Sequence, residues 1–86
     1  MFGCDVCQEV CPFNRAARPA PWPELRPEAG VGPALDLVAT LALDTDEAFR
    51  ARFRGTPLLR PKRRGLLRNA AVVARNVGAT AAIHAL

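Results

Sequence analysis

With 86 residues and a formal net charge of +4, the chain is at most one small domain, too short to bury a robust core without a staple such as a metal cluster. No apolar run approaches the length of a membrane span, and the Met1 end has neither the basic start nor the apolar core of an export signal, so the expected compartment is the cytoplasm. The charge is unevenly spread. Through Phe49 eight acids stand against Arg15, Arg18 and Arg26, while beyond it come nine bases and no acid. A one-signed block of this kind suits a phosphate backbone, and a solvated helix face explains it as well.

Residues 1–13 form a cysteine loop. Cys4, Cys7 and Cys11 stand in the pattern C-x2-C-x3-C-P, an iron-sulfur spacing with one ligand short of four. Two thiols separated by two residues reach neighbouring irons from one tight loop, and Pro12 turns the chain away without offering an N–H. In the bacterial ferredoxin run the cysteine before the proline serves the other cluster of a pair. By that precedent Cys4 and Cys7 belong to one cluster and Cys11 to a second, with Phe2 and Phe13 expected to shield the site. A zinc site needs a fourth N or S ligand, and the lone His84 lies far away in sequence. A disulfide framework sits poorly with an odd cysteine count, a C-x-x-C redox pair lacks its βαβ setting, and three unrelated structural cysteines remain an alternative that would cluster ahead of a proline only by rare chance.

Residues 14–33 carry Pro19, Pro21, Pro23, Pro27 and Pro33 with Gly30 and Gly32. They read as an extended connector, anchored on a neighbouring domain by Trp22 and Leu25.

Residues 34–86 read as helical. A short amphipathic helix is expected over Ala34–Leu41, with either Leu35, Val38 and Leu41 or Leu37 and Leu41 on its apolar side. Asp44 followed by Glu47 resembles a capping box opening a helix over Thr45–Arg54, in which Phe49 and Phe53 pair at i, i+4 and Gly55 ends the run. Thr56-Pro57 opens a turn, and Pro61 bars an unbroken helix from Thr56. From Lys62 to Val77 the residues Leu66, Ala70, Val73, Ala74 and Val77 repeat at helical spacing, with Arg64, Arg68, Asn69, Arg75 and Asn76 around them and Gly78 as the stop. A further segment starts at Thr80, where Ala81, Ala82, Ile83 and Leu86 have no following helix to meet. The pattern reads as a truncated α-solenoid. His84 is given no role.

Three blocks, taken in order, carry a family resemblance: Phe2-Gly3-Cys4-Asp5-Val6-Cys7-Gln8-Glu9-Val10-Cys11-Pro12-Phe13-Asn14, then Phe53-Arg54-Gly55-Thr56-Pro57, then Lys62-Arg63-Arg64-Gly65-Leu66-Leu67-Arg68-Asn69-Ala70. Together they resemble the C-terminal part of epoxyqueuosine reductase. The resemblance implies an oxidoreductase that uses cobalamin and two four-iron four-sulfur clusters to reduce epoxyqueuosine to queuosine in transfer RNA. It implies a mainly α architecture: a ferredoxin-like cysteine loop, a Pro-rich strap and the start of a HEAT-like helical repeat. Cys4, Cys7 and Cys11 become cluster ligands. The other ligands, the cobalamin domain and the catalytic acid are expected upstream of this chain, so no residue here is assigned to catalysis or to cobalamin and the isolated chain is not expected to be active. Partners implied are transfer RNA, that upstream segment and an external low-potential electron donor. Lys62, Arg63, Arg64, Arg68 and Asn69 are the candidate RNA-docking residues. Two other classes stay open: a small ferredoxin-like carrier or corrinoid-dependent reductive dehalogenase relative, and a non-enzymatic RNA-binding helical module.

Overall fold

In the computed structural model, which describes residues 1–84, the chain is mainly helical and has no strand among those residues. The α-helices are α1 (Val6–Glu9), α2 (Leu37–Leu41), α3 (Asp46–Phe53), α4 (Lys62–Asn76) and α5 (Thr80–His84), with 3-10 turns at Pro12–Ala16, Pro23–Leu25, Pro27–Ala29 and Pro57–Leu59. The expected apolar contributions of the Ile83 side chain and of Leu86 lie outside the described residues. Two units are distinguished. One is Gly3–Pro33, and the other joins Met1–Phe2 to the chain from Ala34 on.

The helical unit is built around α4. Leu66, Ala70 and Ala74 recur at i, i+4, i+8 and are fully buried, which is one stripe of a 3.6-residue helix. The small alanines let a neighbour approach closely, and Ala82 on α5 is likewise buried. Val73 is only half-buried, and Val77 is exposed because it caps α4 rather than extending it. Gly78, at φ +66°, then closes a Schellman motif: its N–H donates to the Arg75 carbonyl at 3.3 Å and that of Ala79 to the Ala74 carbonyl at 2.9 Å. A left-handed residue there satisfies two carbonyls the helix would leave orphaned.

Helix α3 contributes the largest core side chain. Phe53 is 1% exposed, and its ring meets that of Phe49 edge-on, with centroids 5.2 Å apart. The start of α3 differs from the capping-box expectation by one residue. Thr45 is the cap, its Oγ1 accepting from the Ala48 N–H at 3.1 Å, so Asp44 falls outside the helix and Glu47 lies one position too early to complete a box. Gly55 takes φ +73° and ends the run, and the Thr56 hydroxyl donates to the Phe53 carbonyl at 2.7 Å.

Helix α2 is shorter than the expected Ala34–Leu41. Asp36 caps it, accepting from the Ala39 N–H at 2.7 Å, which leaves Ala34 and Leu35 outside. Its buried residue is Thr40 rather than Val38, which is exposed. A threonine is tolerated inside because its hydroxyl donates to the Asp36 carbonyl at 2.7 Å, so that buried polar group is paired.

The unit Gly3–Pro33 has no buried residue. Local hydrogen bonds shape it: Arg26 Nε donates to the Ala20 carbonyl at 3.3 Å, and the Gly32 N–H to that of Pro27 at 3.1 Å. Instead of running extended, residues 14–33 fold into two short 3-10 turns, each opened by a proline whose fixed φ suits a first helical position. The expected anchors Trp22 and Leu25 are exposed, Trp22 by 67%.

Candidate metal-ligand loop and basic helix face

The three thiols sit on a continuous ordered turn. Gly3 at φ +73° and Asp5 at φ +57° both use left-handed backbone, which brings the chain sharply from Cys4 into α1, where Cys7 lies. The Val10 and Cys11 N–H groups donate back to the Val6 and Gln8 carbonyls at 3.1 and 3.3 Å. Cys11 is extended, at φ −68° and ψ 123°, and hands the chain to the Pro12–Ala16 turn. Asn14 clamps this arrangement, its Nδ2 donating to the Gln8 carbonyl at 2.8 Å.

Cys4, Cys7 and Cys11 are free thiols, the first two exposed and the third half-exposed. Sulfur donors are what iron-sulfur clusters take, so the donor chemistry fits such a group. The donor number does not. Among the described residues no group of three or more His, Cys, Asp or Glu side chains is placed to hold a metal ion, and a complete cluster needs four ligands. Phe2 and Phe13, expected as a shield, are exposed, Phe13 by 90%. Cys4 and Cys7, like Phe2 and Phe13, are thus open to solvent, and Cys11 is partly so.

The sequence-derived RNA candidates divide into two groups on α4. Arg64 and Arg68 are exposed, as is Arg75 one further step along. At about 100° per residue these three fall within about 40° of one another, on the side of the helix away from Leu66, Ala70 and Ala74. They form a stripe roughly 16 Å long at 1.5 Å per residue. Lys62 is exposed at the start of α4 with φ +58°. Arg63 and Asn69 are instead tied within the fold. Arg63 Nε donates to Asp46 Oδ1 at 2.9 Å and its Nη1 to the Leu43 carbonyl at 3.4 Å. Asn69 Nδ2 donates to the Met1 carbonyl at 2.9 Å.

One residue joins the docking candidates and one feature escaped the sequence reading. Arg75, read from sequence as a polar position of the helix but not as an RNA contact, belongs with the exposed stripe at i+7 from Arg68. A groove between α3 and the beginning of α4 is lined by Asp46, Phe49, Arg50, Leu59, Lys62 and Arg63. Only the i, i+3, i+4 spacing of Asp46, Phe49 and Arg50 hinted at it. No described helix is long and apolar enough to cross a membrane.

Comparison with known proteins gives a consistent set of relatives. The chain is 41% identical over 80 residues to an epoxyqueuosine reductase of Pseudomonas aeruginosa, an alignment that takes in 93% of this chain and 22% of the relative. It is 39% identical over 72 residues to an epoxyqueuosine reductase of Cellulophaga algicola, covering 79% of this chain and 22% of that protein. A Synechocystis epoxyqueuosine reductase is 40% identical over 70 residues, covering 79% of this chain and 23% of its own length. The chain thus spans between a fifth and a quarter of the length of these curated relatives. No family model matches it, and no solved structure does.

Proposed function

The chain is similar along most of its length to a segment of epoxyqueuosine reductases, and on that premise we propose that it acts as the C-terminal part of such an enzyme, reducing epoxyqueuosine to queuosine in transfer RNA. The observation that carries the reading is the alignment of 93% of this chain with only 22% of the Pseudomonas relative. The cysteine loop adds support, since it has iron-sulfur donor chemistry without a full ligand set.

In this reading Cys4 and Cys7 ligate one four-iron four-sulfur cluster and Cys11 a second, each completed by thiols from outside this chain. Such clusters supply single electrons when bound. Cobalamin is likewise held outside these 86 residues, and an external low-potential donor feeds the relay. The part played by this chain is ligation and docking. Asn14 and the left-handed residues Gly3 and Asp5 fix the loop that presents the thiols, and α4 presents Arg64, Arg68 and Arg75 to the phosphate backbone of the RNA. Arg63 and Asn69 serve by holding that helix in place. The packed pair α4 and α5 begins a HEAT-like repeat, and the compartment is the cytoplasm.

The experiment is a turnover assay on transfer RNA containing epoxyqueuosine, with cobalamin and a low-potential reductant. The isolated chain gives no queuosine. Product formed without any further polypeptide would overturn the reading.

A further inference from the structure

The groove between α3 and α4 is not used by the docking stripe. Asp46, Phe49 and Arg50 form its α3 wall, while Leu59, Lys62 and Arg63 face them from the 3-10 turn and the beginning of α4. Its volume of about 490 Å³ falls within the range of small-ligand sites, roughly 300–1,000 Å³. The lining is divided by chemistry. Phe49, 4% exposed, and Leu59, 37% exposed, are its apolar lining, and Arg50, Lys62 and Arg63 are its cations.

Those cations are not equivalent. Arg63 is committed to Asp46 and to the Leu43 carbonyl, which neutralises the one carboxylate in the groove. Arg50 and Lys62 are exposed and have no acidic partner among the described residues. Two uncompensated positive charges beside a low-dielectric wall focus field into the groove and favour an anion. The apolar lining of Phe49 and Leu59 adds a preference for an anion carried on a flat, partly apolar body. A peptide docking by strand addition or as an amphipathic helix needs a sheet edge or a helix-length groove. Among the described residues there is no strand, and the α3 wall is a single helical turn.

We propose that this groove binds one nucleoside phosphate, its phosphate held between Arg50 and Lys62 and its base lying against Leu59 and the edge of Phe49. The inference rests on the RNA-docking reading and extends it: the α4 stripe holds the backbone and the groove takes a single unstacked nucleotide. A free nucleotide carries the same chemistry and is the other possible source.

The test is a titration of the full chain, followed by amide chemical shifts, with uridine 5′-monophosphate, uridine, inorganic phosphate and a short single-stranded RNA. The monophosphate should bind saturably and shift the amides of Arg50, Leu59 and Lys62, with uridine and inorganic phosphate each at least tenfold weaker. Arg50→Gln should weaken the monophosphate at least tenfold, as loss of a charge-assisted hydrogen bond does. Lys62→Gly should weaken it similarly while keeping the fold, because φ +58° at that position is one glycine adopts freely. Displacement by RNA assigns the site to an RNA nucleotide, and its absence assigns it to a free one. Equal binding of inorganic phosphate, or unchanged affinity in both variants with circular dichroism like the parent, would overturn the proposal. Replacing Arg64, Arg68 and Arg75 with glutamine should leave monophosphate binding intact. RNA binding insensitive to that triple change would therefore bring down the docking stripe without touching the groove.

Discussion

Replacing Arg64, Arg68 and Arg75 together with glutamine isolates the outward face of α4. All three side chains are exposed, and none has an ion-pair partner among the described residues, so their removal should leave the fold intact. Each arginine that neutralises a phosphate contributes about 0.9 to the slope of log affinity against log salt for a duplex, and about 0.7 for a single strand. Three contacts on duplex regions of a transfer RNA therefore account for a slope of about 2.7. Between 50 and 200 mM salt the parent should then lose roughly 40-fold more affinity than the triple variant. Filter binding or fluorescence anisotropy over that range reads both quantities. The comparison variant is Arg63→Gln, whose guanidinium is tied to Asp46 and Leu43 and which should leave the slope within about 0.3 of the parent. An unchanged slope in the triple variant, or an equal change in Arg63→Gln, would refute the division of α4 into a docking stripe and a structural side.

Phe53→Ala should destabilise the helical unit by about 3–5 kcal/mol, because it empties a fully buried aromatic site and removes the edge-on contact with Phe49. Urea denaturation followed by circular dichroism measures it, and a loss below about 1 kcal/mol would contradict the burial. Thr45→Ala should cost about 1 kcal/mol by removing the α3 cap, while Asp44→Ala should be near neutral. The reverse order would restore the capping box read from the sequence.

The parts of this fold that were legible are those set by local repetition. Leu66, Ala70 and Ala74 announce their helix by spacing alone, and Phe49 and Phe53 meet because i, i+4 residues share a helix face. Gly55 and Gly78 marked helix ends because left-handed backbone is inexpensive only for glycine. What escaped depends on distant partners or on a single residue of register. The threonine at position 45 and the aspartate at 44 are both good caps, and only the backbone path shows which hydroxyl or carboxylate reaches the third N–H. Val38 looks like a core residue and Thr40 does not, yet Asp36 satisfies the Thr40 hydroxyl and lets it inside. Arg63 and Asn69 look like surface polar groups, but their partners lie 17 and 68 residues away, beyond the reach of any local pattern. In the cysteine loop the spacing carries only an expectation of ligand chemistry, and the exposure of Phe13 there and of Trp22 in the segment that follows was not legible, since composition records apolarity and not what covers it.

The proposed function makes Cys4, Cys7 and Cys11 ligands of iron-sulfur sites that need further thiols from outside this chain. Anaerobic reconstitution of the purified chain with iron and sulfide, followed by metal and acid-labile sulfide analysis on the monomer isolated by gel filtration, tests it most directly. Iron and sulfide should both fall well below the four of each that one cluster needs. A monomer holding four irons and four sulfides would contradict it.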